Sequence, residues 1–287
     1  MKIDLDKIEQ TTKQIDETEV FDTEFLDKCI QESSVRAGDQ YTQDVVILKF
    51  IDGSYETPVM SLSNISLTLG AAKAKKTFYT TMVASAFIAG GKFLMQGDLM
   101  GRKLLYIDTE QSKFHCQKIV KRLVKLTGIH EYNWDFIALR RYAEPELRLA
   151  IIKRMLDANF GAYQIVIIDG VVDLVYDFNN LKESTVIINK LMSWSEVYDC
   201  HINFILHMNK DGINARGHLG SIAIQKAESV FKVTKQDETF SEVSCQASRN
   251  KAFKSFEFFI NNDGLPVRQD HVYEHLNTTK QSDSDPF

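Results

Sequence analysis

Cysteine is scarce and scattered in this chain. The four residues Cys29, Cys116, Cys200 and Cys245 lie far apart with no C-x-x-C pair, which argues against a zinc ribbon or a disulfide framework and leaves buried, reduced thiols as the expectation. Long apolar runs are missing too: the longest, from Met82 to Gly91, is about half of a bilayer-spanning helix. The opening Met-Lys-Ile-Asp-Leu-Asp has no apolar core followed by small residues, unlike a secretory signal. These absences set the expectation of a cytoplasmic protein with no membrane partner. No internal repeat is visible, and no helix-turn-helix or zinc-finger pattern, so nucleic acid would be held through its backbone.

What is present is a core and an uneven charge. Forty-four per cent of the 287 residues are hydrophobic, enough for one large domain with appendages and too much for wholesale disorder. The net charge is −5, yet residues 1–40 alone carry five basic and eleven acidic groups, a net of −6, which leaves +1 on the remainder. The total argues against a nucleic-acid partner; the distribution leaves one open. Three regions are expected: an acidic arm over 1–40, a globular domain over 41–276, and a disordered tail over 277–287. The arm, with the spacing Val20, Phe21, Phe25, Leu26, Cys29, Ile30 of an amphipathic helix, reads as a protein-docking segment or an electrostatic mimic competing for a basic surface.

From Val45 the pattern becomes strand, tight turn at Asp52-Gly53, strand. Strand and helix patterns then alternate: Ile65–Leu69, a helix Thr77–Ala89, Lys103–Ile107, a helix Lys113–Thr127, Trp134–Leu139, a helix Glu144–Asn159, Gln164–Ile168, a helix Ser184–Tyr198 and Ile202–His207. Short apolar strands separated by helices predict an α/β fold, a mostly parallel sheet flanked by helices. Ser229–Thr234, Ser241–Ala247 and Phe253–Ile260 alternate polar and apolar residues and are expected as antiparallel edge strands.

The strand Ile65–Leu69 runs into Gly70-Ala71-Ala72-Lys73-Ala74-Lys75-Lys76-Thr77 and then Phe78 of a helix. Gly70, Lys76 and Thr77 match the phosphate-loop pattern G-x-x-x-x-G-K-[ST], in which loop amides cradle phosphates, the lysine reaches the terminal phosphates and the hydroxyl holds Mg²⁺. Position six is Lys75 instead of glycine, which puts a side chain where the backbone approaches phosphate and adds a positive charge there. The alternative is a basic turn capping a helix. Asp169 ends the apolar strand before it, as the Mg²⁺ carboxylate of nucleotide hydrolases does, and Glu110 follows the strand Leu104–Thr109, where it could polarise an attacking water. Each carboxylate, with Asp108, could instead cap the next helix.

His207 ends a third strand, as a sensor of the γ-phosphate or as a structural histidine. The segment Asn209–Ser221, with Lys210, Arg216 and His218 as cations, is expected as a mobile loop gripping a phosphate backbone, or as a plain surface loop. Lys113, Lys118, Lys121, Arg122 and Lys125 form a basic stripe on one helix, either a DNA-binding face or a solvated one.

Together these motifs, over about residues 58–268, resemble the RecA-like ATPase fold, in particular the RepA and DnaB hexameric helicases and the RecA-like AAA-family ATPases of bacterial mobile elements. The resemblance implies ATP and Mg²⁺ as ligands, Glu110 of Asp108-x-Glu110 as catalytic carboxylate, His207 as sensor, the loop from about Lys210 to Ser221 as the lining of a DNA channel, and a homo-oligomer, possible as a hexamer. It also implies a trans-acting basic pair, matched by Arg249-Asn250-Lys251 in reversed order. The implied role is a motor or switch on single-stranded or duplex DNA in replication or mobilisation. Two other readings stay open: a non-hydrolysing nucleotide-binding adaptor or loader that docks a protein partner, and a clock- or repair-type RecA relative acting on proteins.

Overall fold

A computed structural model describes residues 22–40, 44–130, 133–209 and 215–269. The chain divides into two compact units, residues 1–43 and 44–287. In the first, helix α1 (Thr23–Ser33) starts where the Asp22 carboxylate accepts the Glu24 N–H at 2.9 Å, which satisfies one of the open amides of a first turn. Phe25, Leu26 and Ile30 are exposed on it. The arm before residue 22 and the tail expected at 277–287 lie outside the described residues.

In the second unit, β1 (Val46–Asp52) and β2 (Tyr55–Ser61) form a hairpin around Gly53, and β4 (Met95–Gly97) joins β1 to complete a three-stranded antiparallel sheet. The main sheet has nine strands: β3 (Ile65–Gly70), β5 (Lys103–Asp108), β6 (Trp134–Ala138), β7 (Tyr163–Asp169), β8 (His201–His207), β9 (Ser229–Lys235), β10 (Phe240–Ser248), β11 (Phe256–Ile260) and β12 (Pro266–Arg268). Their order is β12-β11-β10-β9-β3-β8-β7-β5-β6. Every pairing from β9 to β6 is parallel, and those among β9 to β12 are antiparallel. The protein is therefore α/β, with a mostly parallel mixed sheet and antiparallel strands at its C-terminal side.

Helices α2 (Lys76–Ile88), α3 (Lys113–Thr127), α4 (Pro145–Ala158), α5 (Leu181–Val197) and α6 (Gly217–Lys226) cover the sheet. One apolar cluster packs α2, α3 and the small sheet on one face; another packs α4, α5 and α6 on the other. Burial from both sides explains why β7 is buried at every position and shows no alternation. It also explains α2, where all but Thr77 and Phe78 are buried.

Three expectations need correction. None of the three expected edge strands is one: β9 pairs with β3 and β10, where the sheet turns from parallel to antiparallel, β10 with β9 and β11, and β11 with β10 and β12. The presumed loop Asn209–Ser221 ends early, because α6 begins at Gly217 and its first turn takes in His218. Helix α5 starts three residues before Ser184, at the Asn180 side chain that accepts the Glu183 N–H at 3.1 Å. The three-residue strands β4 and β12 are too short to leave a period in the sequence.

Candidate functional site

The strands β3, β5, β7 and β8 end together. Register sets Gly70 of β3 beside His207 of β8, and Asp108 of β5 beside Asp169 of β7. The loop after β3 bends by alternating hand: Lys73 (φ 63°) and Lys75 (φ 67°) take positive φ, while Ala72 and Ala74 do not. Such alternation turns successive amides toward one concavity, an anion-binding nest. A lysine in this region costs on the order of 1–2 kcal/mol that glycine would not, so the loop keeps the shape at the expense of strain. Gly70 has no such freedom to change: a Cβ there would sit 2.6 Å from the Val233 carbonyl oxygen on β9.

Lys75 departs from expectation. Its ammonium leaves the loop and donates to the Thr239 carbonyl at 2.5 Å, on the β9–β10 turn. Lys76 is buried and folds back, donating to the Gly70 and Ala71 carbonyls at 2.9 and 3.0 Å and meeting His207 Nδ1 at 3.0 Å. Burial pushes its pKa down to about 8, against the opposing pull of Asp169 and Glu110. An ammonium held by two carbonyls is poorly compensated, and a phosphate would satisfy it better.

Asp169 caps no helix. Its Oδ2 accepts the Thr77 hydroxyl at 3.0 Å and the Tyr106 hydroxyl at 3.1 Å, and burial, with Asp108 and Glu110 adding, pushes its pKa up to about 7. Asp108 caps no helix either but closes the turn before α3, where its carboxylate takes the amides of Glu110 and Gln111 at 3.0 and 2.7 Å and the Gln111 side chain at 2.9 Å. Asp108 therefore fixes the turn that presents Glu110. That turn is pinned from below, where the Thr109 hydroxyl donates to the Asp169 and Gly170 carbonyls at 3.0 and 2.8 Å. Gly170, at φ 105°, has no room for a Cβ, which would lie 2.8 Å from Glu110 Cγ.

Glu110 faces His207, Oε1 to Nε2, at 3.6 Å. This contact, then the charges of His207 and Lys76, holds its carboxyl below the usual range in spite of burial. Because Lys76 is the donor to Nδ1, the hydrogen of a neutral His207 sits on Nε2 and points at Glu110. One chain thus runs from ammonium through imidazole to carboxylate.

The residues fit a Mg²⁺ ion: a hydroxyl and a carboxylate already share a hydrogen at Thr77 and Asp169, in a pocket with an excess of carboxylate. Among the described residues no group of three or more His, Cys, Asp or Glu could hold a metal; a Mg²⁺ carried on phosphate oxygens and water needs no such cage.

Other expected residues are not brought here. Arg249 donates to the Lys226 carbonyl at the end of α6 (2.9 Å) and to Asn64, before β3 (3.5 Å), at the opposite end of the sheet. The Lys251 ammonium lies 5.7 Å from the Tyr55 ring centroid. Arg216 stacks on Phe178 at 4.3 Å just before α6, His218 is exposed in its first turn, and Lys210 lies outside the described residues. Of the basic stripe, Arg122 turns inward, 3.8 Å over the Phe78 ring and bonded to the Gly264 carbonyl, so the exposed stripe is Lys113, Lys118, Lys121 and Lys125.

Sequence reasoning missed Tyr106 and Thr80. Their hydroxyls meet at 3.0 Å beneath Asp169. The signal was period two on β5, which sets Tyr106 on the face of Asp108. Compared with known sequences, the chain matches no protein-family model and no curated protein.

Proposed function

We propose that this protein binds Mg·ATP and hydrolyses it, as a RecA-like motor or switch acting on DNA in replication or mobilisation. The carrying observation is the meeting, at one end of a parallel sheet, of an alternating-hand loop, Lys76, the Thr77–Asp169 pair and Glu110. The strand order supports it, since β8 with His207 lies between the loop strand β3 and the Asp169 strand β7. Open α/β sheets take ligands at these carboxyl ends.

In this reading Gly70 to Phe78 cradle the phosphates through loop amides and the start of α2, and Lys76 exchanges its carbonyl partners for phosphate oxygens. Thr77 and Asp169 would hold Mg²⁺, which supplies neutralisation of the charge on the β- and γ-phosphates. Glu110, ionised, orients a water and takes its proton as the water oxygen bonds to the γ-phosphorus and ADP leaves. His207 is freed from Lys76 when phosphate takes that lysine, which gives the strand tip a way to register the γ-phosphate. In a homo-oligomer, Arg249 and Lys251 would complete a neighbour's site.

Glu110→Gln tests the assignment. ATP binding is expected to persist while phosphate release falls on the order of 10²- to 10⁴-fold; normal turnover would falsify it. The second reading, a non-hydrolysing adaptor, is favoured by one observation: Arg249 is engaged within its own chain. Tight ATP binding with no phosphate release, with or without single-stranded DNA, would select it.

A further inference from the structure

Beyond β5, the far edge of the sheet carries a recess of about 530 Å³ that the ATP site does not use, lined by Gln111, Ser112, Lys113, Ala138, Arg140 and Arg141. Three of these residues are cations and none is an acid. Lys113, Arg140 and Arg141 are exposed and enter no ion pair among the described residues, whereas Arg102 and Arg148 are paired with Asp199 and Asp173. Helix α3 starts at this recess without a side-chain cap, because the Ser112 hydroxyl is turned to His115 Nδ1 at 3.0 Å, and its first turn holds no acid. The positive end of the helix adds to the three cations, offset in part by the Asp108 carboxylate that reaches Cys116 at its first turn.

The same charge continues along α3, which contains no acidic residue. Lys118, Lys121 and Lys125 are exposed, and Lys113 to Lys125 covers ~18 Å at the rise of an α-helix. Among them Phe114 is 64% exposed, with the Lys118 ammonium 4.6 Å from its ring centroid. An exposed aromatic ring within a track of cations suits a strand whose bases are free to stack, which a duplex does not offer.

We propose that this recess and the exposed face of α3 bind single-stranded nucleic acid, with a backbone phosphate seated among Lys113, Arg140, Arg141 and the start of α3, and a base stacked on Phe114. The surface takes in the basic stripe that the sequence leaves open as a DNA-binding or a solvated face, adds Arg140, Arg141 and Phe114 to it, and is separate from the segment after β8. It rests on the function proposed above only for its purpose, by giving the nucleic-acid partner a place. It also reaches the ATP site: Gln111 lines the recess, is held by Asp108 at 2.7 and 2.9 Å, and adjoins Glu110. An occupied recess acts on the turn that presents the catalytic carboxylate, so a bound strand is expected to raise ATP turnover.

The test is anisotropy of a fluorescent oligothymidylate with the full chain across a salt series. The Arg140→Glu/Arg141→Glu protein is expected to bind at least tenfold more weakly, with the slope of log affinity against log salt reduced by about 0.7 for each phosphate that is no longer neutralised. Phe114→Ala is expected to weaken binding about tenfold while leaving that slope unchanged. Lys118→Glu/Lys121→Glu repeats the charge test on a helix face far from any turn. Equal affinity of the charge-reversed and natural proteins overturns the proposal. So does a natural protein that binds no oligothymidylate while inorganic phosphate shifts the amide resonances of Lys113 and Phe114, which marks a free-phosphate site. Hydrolysis without oligonucleotide binding sinks this surface and leaves the ATPase reading; binding lost in Arg140→Glu/Arg141→Glu but present in a chain that never hydrolyses ATP does the reverse.

Discussion

Asp169 carries the sharpest electrostatic conflict at the residue scale. It is 7% exposed, it faces Asp108 and Glu110, and its pKa stands at about 7, against roughly 3.9 for an unfolded aspartate. Between those values the folded chain keeps a proton that the unfolded chain has released. Stability therefore falls as pH rises through that window, by on the order of 4 kcal/mol once the group is ionised. Asp169→Asn is expected to melt above the natural protein at pH 8 and close to it at pH 5, by scanning fluorimetry; a lower melting point at pH 8 would refute the conflict. Lys76 acts in the other sense. With its pKa near 8, it loses the charge that grips phosphate as pH rises further, so affinity for a fluorescent ATP analogue should decline between pH 8 and 10. The sequence makes Gly70, Lys76, Thr77, Glu110 and Asp169 legible because their chemistry is tied to order along the chain. The role of Tyr106 is not legible, because a buried tyrosine counts as apolar until the Asp169 carboxylate is set against its hydroxyl.

At the scale of elements, the β3–α2 loop keeps its bend without the second glycine. Neighbouring elements compensate: the β9–β10 turn takes the Lys75 ammonium, and α2 is buried almost throughout. Arg249 shows the same dependence on neighbours. It closes the end of α6 through the Lys226 carbonyl, and because the side chain is exposed this hydrogen bond contributes about 1 kcal/mol. Arg249→Ala should lower the urea midpoint accordingly, while Arg249→Lys recovers only part of that loss. If ATP turnover is unchanged by both, the arginine serves this helix alone; if turnover collapses in a folded Arg249→Lys protein, it also serves a neighbour's site. Helix α6 itself was hidden in the sequence, because Gly217 and Gly220 read as loop until Gly220 is seen against Ala215, 2.5 Å from where its Cβ would lie.

Across the whole molecule, a buried polar network ties the small sheet to the large one. His201 Nδ1 donates to the Ser61 carbonyl at 2.7 Å and Nε2 accepts from Ser66 at 2.8 Å, while Glu228 takes the Ser61 amide and hydroxyl at 2.9 and 2.8 Å. Burial lowers the His201 pKa, against the pull of Glu228. The unfolded chain takes up this proton below about pH 6.5 and the folded chain only at lower pH, so the network's stability is complete above that value and is lost as pH falls below it. Asp169 works oppositely over part of the same range, so the readout is the His201 ring resonance. It is expected to titrate below pH 6.5, and titration at or above pH 6.5 would contradict the network. The net charge of −5 has a similar lesson: the acidity belongs to the arm, and the cations gather at the phosphate loop and along α3. By itself the sequence determined the α/β alternation, the antiparallel C-terminal side and the order of the phosphate-loop motif, because periodicity and local geometry are properties of neighbouring residues. Only the tertiary structure decided that Asp108 closes its own turn while Glu110 faces His207, that Lys75 reaches the β9–β10 turn and Arg122 turns inward, and that Arg140 and Arg141 join Lys113 around one recess. Those outcomes depend on strand order and register, which bring together residues whose separation along the chain carries no signal.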